Sequence, residues 1–505
     1  MAAHRTSTPS LTAQAFWLLV AKTVGFALTM ALPLVLVRAL SQSDFGLYKQ
    51  AFLVVGTATT ILPLGFGMSA FYFLPRAHDR HAAVVQHILA VHAAVGGLAA
   101  IALCVWPRLL AMIFGSDALV PYAPHIGAVI FTWTVGSFLD IVAVARQDLR
   151  ASTFFIIGSQ ASKTAVFMLA ALAASSVGAL ITAAIVQGVA QIVVLAWYLQ
   201  ARFPGFWKSF HWPTLRTQAL YALPLGLSAL VLKCQNDVPH YFVAHAFGAS
   251  AYAIFAVGVF NLPLIGLLRE SVGSVMLPRV SLLEQQQDPR PILELVASVA
   301  RKLALVYFPI YALLMVVGRE VIVLLFTAQY LSSWPVFAIY LTIIPAGVIV
   351  LDPITRAYAE QRFFLLKVRI VLFAILIAVL TFATNRLGLV GTISVMVAVQ
   401  LLGTIAAAAR MSRVMRVSRA DLAPFAPLGG IAAAAAAAGV VAAATRLALL
   451  PASPQTVVIV CGAMYALAYG GAMTAARMLV PEEWALVRAM LDRSRMIPAR
   501  RNVIC

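Results

Sequence analysis

The chain has 505 residues, 62% hydrophobic and only 10% charged, with a formal net charge of +19. A soluble domain carries about 25% charged residues, so this composition excludes a soluble fold and identifies a polytopic membrane protein. So large a positive charge suggests nucleic acid, but bases spread over short loops between apolar runs follow from the positive-inside rule, and no nucleic-acid partner is expected.

A bilayer core about 30 Å thick is crossed by roughly 20 apolar residues in a helix. The first such run extends from Gln14 to about Val37 and is apolar apart from Lys22 and small hydroxyl residues. A turn is expected over Arg38 to Tyr48, and apolar residues then resume to Leu74. Further runs fall near 83–106, 122–145, 152–174, 177–200, 219–243, 252–276, 297–317, 334–355, 364–384, 388–409, 427–446 and 456–476. With 14–37 and 51–74 they make about fourteen spans. The four cysteines, Cys104, Cys234, Cys461 and Cys505, form no CxxC pair and read as small apolar fillers.

The loops set the orientation. With the N-terminus inside, 26 of the 36 Lys and Arg residues fall on the cytoplasmic face, six (including Lys49 and Arg446) on the opposite face, and four within spans. That bias predicts an even span count with both termini cytoplasmic. The connection from Ala201 to Gln218 divides the chain after six spans. Ala39–Tyr48 and Ala246–Phe255 then match weakly at the same ordinal turn of each six-span set, ending in an aromatic, a small residue, an aliphatic and an aromatic. The expected fold is all-α: an N-lobe over 1–205 and a pseudo-symmetric C-lobe over 206–415, two extra helices over 416–480, and a cytoplasmic amphipathic tail over 481–505.

The stretch Leu40-Ser41-Gln42-Ser43-Asp44-Phe45-Gly46-Leu47-Tyr48 resembles the Leu-x-x-x-(Asp/Glu)-(Phe/Tyr)-Gly-x-(Tyr/Phe) turn of bacterial polysaccharide (O-antigen) flippases of the Wzx type. Leu64-Gly65-Phe66-Gly67-Met68-Ser69 is similar to that family's Gly-rich run. The likeness extends in layout over about residues 10 to 415 and is clearest in the first 75. These flippases belong to the multidrug/oligosaccharidyl-lipid/polysaccharide exporter superfamily. The resemblance implies two six-helix lobes around a cavity of alternating access in a bacterial inner membrane. It also implies a polyprenyl-pyrophosphate-linked oligosaccharide as substrate and the machinery of surface, lipopolysaccharide or exopolysaccharide assembly as partner.

A pyrophosphate crossing a bilayer needs cations at membrane depth. The cations inside spans are Lys22, Lys163, Lys233 and Arg269, all expected at or below mid-membrane, with Lys22 and Lys163 near enough to the cytoplasmic interface to snorkel. Asp237 stands four residues after Lys233, at ion-pair spacing. Asp237 and Glu270 are the candidates for coupling to a proton or sodium gradient. Gln187, Gln191, Asn261 and Gln400 are candidates for sugar hydroxyls, against the alternative of ordinary helix-to-helix bonding.

His240 and His245 read as interfacial rather than metal-binding, and no metal or other cofactor is expected. Gly158-Ser159-Gln160-Ala161-Ser162-Lys163-Thr164 only glances at a P-loop, because no glycine precedes the lysine and the stretch lies in an apolar run. Transport would therefore draw on a gradient, the membrane potential or the substrate's own downhill flow. Short outer connections argue against a membrane-bound polymerase or ligase, so no enzyme is expected. Four bases within spans argue against a multidrug or cation antiporter.

Overall fold

The computed structural model describes residues 25, 28, 30–76, 80–285, 288–358 and 362–478. Lys22 and the tail over 481–505 lie outside the described residues, as does most of the first expected span. The chain forms two compact units. One comprises Met1–Leu267, Leu325–Tyr340 and Ala359–Ala407; the other comprises Leu268–Leu324, Leu341–Tyr358 and Ala408–Cys505.

Among the described residues no strand occurs. Among the described residues nine helices are long and apolar enough to cross a bilayer, ten if one bent pair counts as a single span. Fourteen spans are expected; most of the first lies outside the described residues, which include only the short helix α1 (Met30–Ala39), and the rest of the difference has two physical reasons. The spans expected at 364–384 and 388–409 form one element whose backbone turns at Gly388, φ 62°. The spans expected at 252–276 and 334–355 are interrupted, the latter into Trp334–Leu341, Ile343–Ala346 and Asp352–Ala357. At 252–276 the apolar half closes the preceding helix at Gly258, residues 259–262 are non-helical, and a new helix starts at Pro263. That helix carries Arg269, Glu270, Arg279 and Glu284 and is absent from the helices apolar enough to span.

In the first unit, α2 (Gln42–Ile61) begins inside the expected turn. The Ser41 hydroxyl accepts a hydrogen bond from the Asp44 backbone N–H at 3.1 Å, and the Asp44 carboxylate stands in the first turn against the positive end of the helix dipole. The motif from Ser43 to Tyr48 is therefore helix, with Phe45, Gly46 and Tyr48 on its buried side. Leu64 and Gly65 take positive φ, 46° and 78°, and α3 (Phe66–Phe73) leaves at 40° to α2. Then come α4 (His81–Val105), α5 (Leu109–Phe114), α6 (Ala123–Gly136), α7 (Phe138–Ala145), α8 (Leu149–Ala174) and α9 (Val177–Arg202). The run expected at 122–145 is thus broken at Ser137.

The long α10 (Trp212–Gly258) turns at Gly248, φ 74°. It lies antiparallel against α2 and α3. A side chain at Gly46 would meet the Ala249 carbonyl at 1.9 Å, Gln50 donates to the Ala244 carbonyl at 3.4 Å, and Gly226 meets the Leu64 backbone. The two turns that match in sequence, 39–48 and 246–255, touch at Gly46 and Ala249. Glycine is needed there because the backbones are in contact.

The connection leading into α10 is fastened by a buried polar chain. The His211 backbone N–H donates to His87 Nε2 at 3.0 Å, so His87 carries its proton on Nδ1 and donates to Gln218 Oε1 at 2.8 Å. Gln218 Nε2 in turn reaches Ser69 Oγ at 3.5 Å. His87, Gln218 and Ser69 are all fully buried. His87→Leu strands the His211 N–H and the Gln218 amide, at about 1–3 kcal/mol for each group left unpaired. The expected result is a lowered unfolding midpoint in detergent, and a midpoint equal to wild type would remove the chain's structural role.

The second unit contains α11 (Pro263–Glu284) from Leu268 onward, α12 (Arg290–Phe326) up to Leu324, α13 (Trp334–Leu341) only at its last residue, α14 (Ile343–Ala346) and α15 (Asp352–Ala357). Of α16 (Arg362–Val414) it takes the end, and it takes all of α17 (Pro427–Ala448) and α18 (Pro454–Ala475). Its core joins Val317 of α12 to Ala438 and Ala442 of α17 and to Val457, Cys461 and Tyr465 of α18. The alanines let the helices approach closely, as membrane packing favours. Arg446, expected in an outer loop, stands in the last turn of α17 and binds Glu320 of α12 through Nη2 at 2.7 Å and Nε at 2.9 Å.

Candidate functional site

A cluster of charged and polar side chains of the first unit lies on the α2–α10 seam. Lys233 Nζ stands 2.9 Å from Asp237 Oδ2, one helical turn away. The same oxygen accepts the Thr57 hydroxyl of α2 at 2.5 Å. Asp237 is 7% exposed, so its charge is held by one cation and one hydroxyl in nearly dry surroundings. The next turn of α10 carries His240, whose Nδ1 meets the Tyr252 hydroxyl at 3.3 Å. Asp237, Lys233 and Lys49 all lie within electrostatic reach of the His240 ring.

Lys49 is a cation that the sequence reading placed in an outer loop. Because α2 starts at Gln42, Lys49 is instead its eighth residue, half-buried, with Nζ 5.4 Å from the centre of the Phe45 ring. The Ser41-x-x-Asp44 capping pattern was the signal that could have placed it.

Lys163 is the fifteenth of the 26 residues of α8. Its ammonium sits 4.1 Å from the centre of the Trp133 ring of α6, whose indole N–H is fixed by the Ala184 carbonyl at 3.1 Å. The surrounding Gly158–Thr164 stretch is continuous helix, which no phosphate-cradling loop could be.

Of the remaining candidates, Gln187 donates to Gln191 at 3.1 Å, and Gln191 packs against Gly136. Asn261 lies exposed in the break before α11, its side-chain oxygen accepting the Tyr340 hydroxyl. Gln400 is half-buried on α16, where its backbone carbonyl accepts the Thr404 hydroxyl. In the second unit, Arg269 and Glu270 are neighbours on α11, both exposed, with Arg269 in electrostatic reach of Tyr307. His245 Nδ1 pairs with the Ile113 carbonyl at 3.1 Å. Among the described residues no group of His, Cys, Asp or Glu is arranged to hold a metal ion.

A multi-pass helical fold with lysines deep in its spans defines a membrane protein built around buried charge, and solved structures share its architecture. The lipid II flippase MurJ, in its inward closed conformation, superposes with a TM-score of 0.69 at 10% identity, covering 92% of this chain and 98% of that one. An inward-facing multidrug resistance MATE transporter of the MOP superfamily gives 0.55 at 15%, covering 82% and 98%. A MOP superfamily transporter from Pyrococcus furiosus gives 0.56 at 14%, covering 80% and 96%. The chain therefore has the fold shared by MurJ and the MATE transporters. No curated protein matches it significantly by sequence. Residues 35–335 match the family described as Polysaccharide biosynthesis protein, and the chain belongs to that family.

Proposed function

We propose that this protein is a flippase. It carries a polyprenyl-pyrophosphate-linked oligosaccharide from the cytoplasmic to the periplasmic leaflet of the bacterial inner membrane by alternating access, with both termini cytoplasmic. Membership in a polysaccharide biosynthesis family supports the substrate class, and the fold supports transport rather than catalysis. The observation that carries the reading is the placing of Lys163 and Lys233 on helices long and apolar enough to span a bilayer. An intramembrane cation is costly and is kept where an anion needs it.

In this reading Lys22, Lys163, Lys233 and Arg269 bind the pyrophosphate, and Gln187, Gln191, Asn261 and Gln400 contact sugar hydroxyls. Asp237 and Glu270 couple transport to a proton or sodium gradient, with no cofactor. The geometry at Lys233 supplies a rule of exchange. While Asp237 is ionised it occupies the lysine, at 2.9 Å. A proton or sodium ion that reaches Asp237 from the periplasmic side releases Lys233, and the pyrophosphate takes the lysine at the cytoplasmic side. The ion leaves to the cytoplasm before the substrate moves outward, so ion and substrate travel in opposite directions. The lobes proposed over 1–205 and 206–415 are the bodies that alternate, and the helices over 416–480 dock the lipid tail or simply pack.

A cation antiporter of the same fold is the competing reading, with Asp237 as binder. Its substrate would have to displace Lys233 first.

The test is a deletion strain complemented with Lys233→Ala or Arg269→Ala at matched membrane levels, assayed for surface polysaccharide and for lipid-linked intermediate. Loss of polymer with accumulated intermediate is expected. A deletion without any polysaccharide defect would discard the substrate class and leave the antiporter reading in front.

A further inference from the structure

Two half-buried lysines of the first unit have no carboxylate among the described residues. Lys49 of α2 rests over Phe45, and Lys163 of α8 rests over Trp133. The two supporting rings belong to one aromatic cluster. Phe45 meets Tyr48 at 6.1 Å between centres, Tyr48 meets Phe52 at 4.7 Å, and Phe52 meets Trp133 at 5.5 Å. Three helices, α2, α6 and α8, thus build one aromatic wall with a cation at each end.

The wall has a packed side and an accessible side. Phe45 is 1% exposed and Tyr48 7%, whereas Phe52, Trp133 and both lysines keep partial exposure. Two facts about that side fix its surroundings. A lysine at the middle of a span does not face hydrocarbon without large cost, so the accessible side faces a wet space. A cation held only by an aromatic face gains about 0.5–2 kcal/mol, less than a charge-assisted bond to an oxyanion supplies when water is scarce. The lysines are therefore positioned but not saturated. The Trp133 indole is oriented by its bond to Ala184, so the ring is already set for a ligand.

Flat aromatic rings next to ammonium groups suit a ligand with an apolar C–H face and phosphate oxygens close by. A pyranose bound through phosphate has both. We propose that this α2–α6–α8 wall is a binding site for the sugar-phosphate head of the transported lipid, with Phe52 and Trp133 beneath the sugar ring and Lys49 and Lys163 taking the phosphate oxygens. The proposal rests on the flippase reading and adds Lys49, Phe52 and Trp133, which that reading does not use. The site takes any sugar with an open C–H face, so the wall recognises the class of head group rather than one glycan.

The test uses the full chain purified in detergent and measures binding of geranyl pyrophosphate and of three geranyl-pyrophosphate-linked sugars (glucose, galactose and N-acetylglucosamine). Wild type is expected to bind at least one sugar-bearing analogue more tightly than geranyl pyrophosphate. Lys49→Gln and Lys163→Gln are each expected to weaken all the compounds by about tenfold, the loss of one charge-assisted contact. Phe52→Leu and Trp133→Leu are each expected to erase the preference for sugar, bringing the sugar-bearing analogues to the affinity the same variant shows for geranyl pyrophosphate. Lys49→Arg and Trp133→Tyr keep the charge or the ring and are expected to restore binding, which separates lost contact from misfolding.

If wild type binds none of the compounds, the flippase reading falls and the wall falls with it. If wild type binds and the four neutralising or ring-removing variants bind as it does, the wall alone is overturned. Equal binding of sugar-bearing and sugar-free compounds by wild type overturns the stacking assignment and leaves a site for any pyrophosphate head group.

Discussion

Gly46→Ala is expected to cost the folded protein about 3 kcal/mol, the upper part of the overpacking range, although alanine is otherwise the better helix former. A Cβ at this position would stand 1.9 Å from the Ala249 carbonyl oxygen. The obstacle is backbone on both sides, so no side chain can swing away to make room. Relief requires α2 and α10 to separate, and that separation propagates along a seam that includes Gln50 with Ala244 and Thr57 with Asp237. The same helix supplies a control. Gly56 has nothing within 4 Å of an added Cβ, so Gly56→Ala is expected to be neutral or to stabilise by up to about 1 kcal/mol. Thermal unfolding of the two variants in one detergent decides the matter. Equal midpoints would mean that the α2–α10 contact is not the anchor described.

What the sequence made legible was local or compositional. Membrane class followed from a charged fraction of only 10% in a chain that is 62% hydrophobic. The Lys233–Asp237 pair followed from a spacing of four on one helix, which needs no knowledge of neighbours. The start of α2 was also written locally, in Ser41 and Asp44. A hydropathy window runs past such a cap, which is why Lys49 was assigned to a loop.

The breaks were not legible, because packing makes them. Leu64 and Gly65 take positive φ where the chain meets the Gly226 backbone, and that encounter joins residues more than 150 apart. The interruption at 259–262 was hidden in the same way, since a window over 252–276 averages apolar residues across it and absorbs Arg269 and Glu270 as exceptions. Thr57 had no signal of its own; a threonine in an apolar helix becomes an Asp237 ligand only through the α2–α10 register. The ring contact of Lys163 had no signal either, because Trp133 lies on another helix.

Asp237→Ala is expected to be the most damaging single change on the seam. It leaves Lys233, whose side chain is 28% exposed, without its counter-charge, and Thr57 without its acceptor. Breaking a buried pair from one side costs about 3–5 kcal/mol, because the remaining charge stays desolvated. Replacing both charges, as in Lys233→Met with Asp237→Leu, removes that penalty, and an apolar pair of similar volume is often as stable as the ions it replaces. The double variant is therefore expected to regain most of the unfolding midpoint lost in Asp237→Ala. Transport is expected to stay absent, because the lysine that meets the pyrophosphate is gone with its partner. Unfolding in detergent and surface polysaccharide in the complemented deletion strain measure the two quantities independently. A double variant that recovers stability and polysaccharide together would make the pair a structural element, and Lys233 would leave the substrate path.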